Sequence, residues 1–224
     1  MTLDFEPFTL AAAIADLSEE PNARPSADAI EFRMDLADSP LEALAEYDGD
    51  LPLIVTNRAE WEGGEAPDEN RIETLTTAVD SPNVEAVDIE LASLEDGDGT
   101  ELLEAASQQD VSVIVSTHNF EETPPADELS RLLRDAGEYG DVAKLAVTAD
   151  DYDDTLALLE VTYKHSSRGE TVATMSMGAV GGHTRAVAFA YGSAIGYAPV
   201  DPTKATAPGQ YDIETLRRLA DDLV

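Results

Sequence analysis

The chain has 224 residues, with 47 Asp and Glu against 13 Lys and Arg, for a formal net charge of −34. Hydrophobic residues make up 43% of it, which excludes the apolar-poor composition of a disordered acidic chain. A pI near 4.1 argues against nucleic-acid binding through a basic surface, and no run of about 18 apolar residues is present to form a membrane span.

Short apolar, β-branched runs alternate with amphipathic stretches. Strands are predicted at 9–15, 29–36, 51–58, 86–91, 112–118, 142–148, 171–177 and 192–198. Most are continuously apolar rather than alternating, as expected for strands covered on both faces. The first crossover, residues 17–27, holds Pro21 and Pro25 and is too short for a full helix with loops. Ile72, Leu75 and Val79 mark a helix after the third strand. Leu129, Leu132, Leu133 and Ala136 mark another, with Gly137 as its stop. A helix over 150–165 opens on acidic residues and closes on Lys164 and His165, which suits the helix dipole at both ends. Ile213, Leu216 and Ala220 form one face of a last helix. Eight strand–helix units predict an α/β fold, a single (β/α)8 TIM barrel over residues 1–224 with a shortened first crossover. An open doubly wound sheet is the main rival. Little chain precedes the first strand, so little is expected to plug the bottom of a barrel.

Lys144 lies in Val142-Ala-Lys-Leu-Ala-Val147, the most apolar setting of the chain's three lysines. Burial disfavours an ammonium, so a lysine inside a strand is a candidate amine nucleophile, with a snorkelling or salt-bridged side chain as the alternative. His118 ends the run of the preceding strand, where a barrel opens onto its active face and a histidine can exchange protons near neutral pH. Arg33, Arg58 and Arg185 share strand-end positions. Singly, each reads as a structural ion pair; together they would make a positive mouth for a small anionic substrate. The Gly178–Gly182 stretch is a weak phosphate-loop signal because no Lys-Ser/Thr pair follows it. Gln210, after Ala207-Pro-Gly, is a possible hydrogen-bonder, His165 reads as a charge partner at a helix end, and His183 has no evident role. The chain has no cysteine, and its three histidines are too scattered for metal-ligand spacing.

In chain order, Glu31-Phe-Arg33, Thr56-Asn-Arg58 with Glu62-Gly-Gly64, Val87-Asp-Ile-Glu90 and Ser116-Thr-His118-Asn-Phe120 fall near successive strand ends. Val142-Ala-Lys144, Met177-Gly178 through Gly181 to Arg185, and Ala207-Pro-Gly-Gln210 complete the series. This ordered set resembles type I 3-dehydroquinate dehydratase, the imine-forming (β/α)8 enzyme of the shikimate pathway. The resemblance implies that Lys144 forms the imine with a C3 ketone, that His118 shuttles protons, and that Glu62 orients His118. It implies that Arg185 clamps the substrate carboxylate, while Glu31, Arg33, Arg58, Thr206 and Gln210 hold the ring hydroxyls and carboxylate. It implies no metal or organic cofactor, 3-dehydroquinate as the small anionic partner, and a homodimer. Thr184 and Thr206 stand where serine is more usual in that family.

Another imine-forming barrel of the class I aldolase type, or a barrel that only binds, are the competing readings. Retention of Lys144, His118 and Glu62 together argues against the second, and Arg185 with the His118 motif argues against the first. The N-terminus lacks the positive segment and apolar core of a signal peptide, which predicts a cytoplasmic protein without nucleic-acid or membrane partners. Acids spread over a surface on the order of 10,000 Å² lie roughly 15 Å apart. With a Debye length of about 8 Å at physiological salt and about 3 Å at 1 M, their repulsion is mild only in strong salt, which predicts a halophilic protein.

Overall fold

The computed structural model describes residues 3–6, 8–204 and 209–223; the predicted contact Thr206 lies outside them. Eight parallel strands form one sheet: β1 (Thr9–Ile14), β2 (Ala29–Arg33), β3 (Leu53–Thr56), β4 (Val84–Glu90), β5 (Ser112–Asn119), β6 (Val142–Thr148), β7 (Val172–Met177) and β8 (Ile195–Pro199). They pair in chain order from β1 to β7, and β8 returns to lie against β1. The last seam is closed by a bridge between Val172 and Ser193, with the Ala194 amide donating to the Val172 carbonyl at 2.7 Å. The sheet is thus a nearly closed (β/α)8 barrel, and the doubly wound alternative is set aside.

Each strand faces two apolar environments, which is why the strands read as continuous hydrophobic runs. Leu10, Ile30, Phe32, Leu53, Ile89, Val115 and Leu145 point outward and join Leu75, Leu102, Leu129, Leu133, Leu158 and Leu216 from the surrounding helices in one buried cluster. Ala11, Ala29, Ile54, Ala86, Ile114, Val142, Ala173 and Ile195 point inward and form a second, smaller one. Phe5 is buried in this inner cluster with Leu3 packed beside it, so the few residues before β1 do cap the interior, contrary to expectation. The first crossover is indeed short: a 3-10 turn, Leu17–Glu19, runs into a single α-turn, Glu20–Ala23. Helices at Pro40–Glu46 and Thr100–Gln109 were not predicted; each is short, and its apolar residues are two leucines and two alanines apiece. The Gly178–Gly182 stretch forms a helical turn, Gly178–Gly181, followed by a second, Thr184–Val187. Among the described residues no helix is long and apolar enough to cross a membrane.

Candidate active site

Above the apolar inner layer, the inward positions change from aliphatic to charged. Lys144 is paired with Ser116 across β5–β6, and His118, two residues nearer the strand's C-terminal end, is paired with Ala146. Side chains alternate, so both residues face the interior, with α-carbons roughly 8 Å apart from strand spacing and rise. The Lys144 amine is buried and donates to Asp88 Oδ2 at 2.8 Å. Glu31 Oε1 lies 3.8 Å away, and the ring centroid of Tyr197 is 4.2 Å from Nζ. The sequence had offered a snorkelling or salt-bridged lysine as the alternative to a functional one. The amine is ion-paired, but inside the barrel and in the wall of its pocket.

Asp88 is the hub of this layer. Its Oδ1 accepts from Arg58 at 2.6 Å and from Ser116 Oγ at 2.7 Å. Burial would raise its pKa, but Arg58 and Lys144 outweigh burial and hold the carboxyl well below its ordinary range. Arg58 also donates to Glu90 at 2.9 Å, and the second oxygen of Glu90 accepts from Arg71 at 2.6 Å. Burial opposes the Arg58 charge, yet Asp88, Glu90 and Glu62 more than compensate and raise its pKa. Arg71 further donates to Ser93 Oγ at 2.8 Å, and its backbone carbonyl accepts from the Asn57 side chain at 3.1 Å. These bonds clamp the segment after β3 to β4.

That segment carries Glu62. The turn Glu60–Glu62 ends at Gly63, whose φ of 80° is left-handed and whose absent Cβ would lie 2.4 Å from the ring of Phe120. Phe120 in turn stacks on His118 at 6.0 Å between centroids. Glu62 Oε1 is 2.7 Å from His118 Nδ1, which leaves Nε2 of the imidazole without a bond to Glu62. Burial pushes the Glu62 pKa up to about 8; Arg58 opposes this and Glu90 and Asp88 add to it. Burial, together with the charges of Arg58 and Lys144, pushes His118 well below its ordinary value. The resting pair therefore holds a neutral imidazole and a carboxyl that keeps its proton near neutral pH.

The three strand-end arginines are not equivalent. Arg33 makes a two-pronged bond to Asp35 at 2.8 and 2.7 Å, and Arg58 is spent on acids as described. Arg185 has no acidic partner among the described residues, and its buried Nε makes no hydrogen bond. Burial alone lowers its pKa to about 10. Among the described residues, the expected positive mouth is therefore the Arg185 guanidinium, without an acidic partner, beside a balanced network. A pocket open to solvent brings together Lys144, His118, Glu62, Glu31, Arg33, Arg58, Arg185 and Gln210. Every predicted site residue within the described chain lines it. No grouping of His, Asp and Glu able to hold a metal ion occurs among the described residues. His165 lies elsewhere, buried between Ser130 and Glu170, and His183 is exposed.

Three site-forming residues were missed in the sequence: Tyr197 against the lysine, Arg71 behind Glu90, and Asp35 behind Arg33. Asp88 and Glu90 were noticed only as parts of a motif. Only Asp35 had a local signal, two residues from the arginine it holds.

Comparison with known proteins agrees with the barrel fold. The family model described as type I 3-dehydroquinase matches residues 7–222. A 3-dehydroquinate dehydratase of Haloarcula marismortui is 55% identical over 99% of this chain and 98% of its own length. One from Halobacterium salinarum is 49% identical over 99% of this chain and 100% of its own length. Among solved structures, 3-dehydroquinate dehydratase from Geobacillus kaustophilus superposes with a TM-score of 0.85 at 28% identity, covering 97% of this chain and 91% of that one. A type I enzyme from Clostridium difficile, solved with covalently modified comenic acid, gives 0.86 at 26% identity over 97% and 92% of the two chains. The chain belongs to the type I 3-dehydroquinase family.

Proposed function

We propose that this protein is a hydro-lyase that eliminates water from 3-dehydroquinate, in the syn sense, to give 3-dehydroshikimate through an imine on Lys144. The observation that carries the reading is one pocket holding a buried amine, a histidine–carboxyl pair and an unpaired arginine. A Lys144 amine adds to the C3 ketone; a proton delivered through His118 lets the ketone oxygen leave as water, and the nitrogen keeps one positive charge. That iminium is an electron sink, so His118 Nε2 can take the C2 proton while the electron pair moves onto nitrogen as an enamine. The pair then returns to expel the C1 hydroxyl, which leaves as water with the proton His118 had taken. Addition of water releases the conjugated enone and restores the amine.

The neutral resting imidazole suits a base, and Glu62 fixes the orientation of the ring through Nδ1. Arg185, with no internal acid to satisfy it, is the natural partner of the substrate carboxylate. Glu31, Arg33, Arg58 and Gln210 line the same pocket and are assigned to the ring hydroxyls and carboxylate, and Thr206 is assigned with them from its motif. The barrel is taken as one catalytic domain acting in the cytoplasm as a homodimer, a state that sedimentation in molar salt would report. The function is tested by adding 3-dehydroquinate in molar salt and following the ultraviolet absorbance of the conjugated enone. Turnover that falls by orders of magnitude in His118→Ala supports the reading; no enone from the parent protein sinks it.

A further inference from the structure

Tyr197 stands apart from the polar layer it borders. It occupies an inward position of β8, opposite Ala11 of β1, and is buried. Its ring face lies 4.2 Å from Lys144 Nζ, within the range of a cation–π contact, and it lines the same pocket. Its hydroxyl is also buried and makes no hydrogen bond. A buried phenol normally finds a partner, so the hydroxyl does not explain this side chain's placement. The ring, which touches the reacting nitrogen, does.

We propose that Tyr197 is a catalytic residue of the imine chemistry, its ring face keeping the imine nitrogen protonated and hence electron-withdrawing. The inference rests on the imine reading above. Ammonium and iminium carry the same single charge on Nζ, and the carbinolamine and enamine between them carry none. A contact that favours the charged nitrogen therefore helps the imine keep the proton that makes it an electron sink. The charged and titratable groups around this nitrogen are Asp88 from β4, Glu31 from β2, Arg58 after β3, His118 on β5 and Arg185 after β7. Asp88 and Glu31 favour the positive charge, whereas Arg58, His118 when protonated and Arg185 oppose it. Asp88 is itself shared with Arg58 and Ser116, so it does not serve the amine alone. The aromatic face adds stabilisation without adding another buried acid.

The test uses the full-length protein in molar salt with 3-dehydroquinate and cyanoborohydride, which reduces protonated imines in preference to ketones. The rate of adduct formation on Lys144 is followed by mass spectrometry against pH. Tyr197→Phe keeps the face and removes only an unbonded hydroxyl, so its profile should match the parent's. Tyr197→Leu and Tyr197→Met remove the face, and their alkaline limbs should move down by roughly 0.4 to 1.5 pH units, the range a cation–π contact implies. Having two variants guards against one failing to fold. Superimposable profiles for the apolar variants, or an equal shift in Tyr197→Phe, overturn the role of the ring. Absence of an adduct in the parent protein instead overturns the imine reading, and this proposal with it.

Discussion

Glu62 is a carboxyl that folding holds in a costly place. In the unfolded chain it ionises near 4.5, whereas in the barrel burial keeps it protonated to about 8. Between those values the folded state binds the extra proton, so stability falls as pH rises through the window. Glu62→Gln removes that penalty. Its melting temperature should rise relative to the parent progressively from about pH 5 to about pH 8, while turnover drops at least about tenfold. A stability difference that is flat across this range would contradict the assignment. Lys144, His118 and Arg185 were legible as pocket residues because their residue types are scarce or their neighbours unusual, such as a lysine in an apolar run, whereas Glu62 was reached only through the motif that carries the family resemblance. Tyr197 and Arg71 were not legible. An aromatic in a strand reads as core, and an arginine opening a helix reads as surface; only closure of the barrel turns them inward to Lys144 and Glu90.

At the scale of elements, the segment following β3 is what makes the barrel into a site. It holds Arg58 and Glu62, is bridged to itself between Ala59 and Ala66, and is clamped through Arg71. Gly64 permits its tight return: a Cβ there would lie 2.1 Å from the Arg58 carbonyl oxygen, which is backbone and cannot swing away. Gly64→Ala should displace Arg58 and Glu62 together and cost about two orders of magnitude in turnover, with far-ultraviolet circular dichroism unchanged. Near-parental activity would show that the segment has more latitude than its packing suggests. The sequence placed all eight strands because each is a compact β-branched or apolar run. It placed their ends less well, as where 29–36 proved to be Ala29–Arg33 followed by a 3-10 turn. Those ends are set by where the ladder stops and the strand-end loops begin, a property of neighbours rather than of the run itself. The Phe5 plug escaped notice because the segment before β1, with Leu3, Phe5 and Phe8, is too short to show a sustained period.

For the whole molecule, the charge of −34 is a property of the outside. Among the described residues only Glu20, Glu31, Glu62, Asp88 and Glu90 of the 47 acids are buried, whereas Arg58, Arg71, Lys144 and Arg185 of the 13 bases are. The bases are thus represented among the buried residues far beyond their share of the charges, in and behind the pocket and mostly balanced by acids, and the excess acid is left to the solvent. The accessible surface of 10369 Å² gives the acid spacing expected from mass alone, and the relatives from Haloarcula marismortui and Halobacterium salinarum fit a salt-adapted protein. Lowering salt from about 1 M to about 0.1 M lengthens the screening distance from about 3 to about 10 Å. The melting temperature should therefore fall steadily over that range, and one indifferent to salt would contradict the account of the surface. The central claim concerns the amine at the middle of the buried network, and covalent trapping tests it most directly. Reduction with borohydride in the presence of 3-dehydroquinate should leave the reduced adduct on Lys144, located by peptide mass spectrometry, with none in Lys144→Ala. Substrate binding with no adduct on Lys144, or an adduct on another residue, would contradict the mechanism.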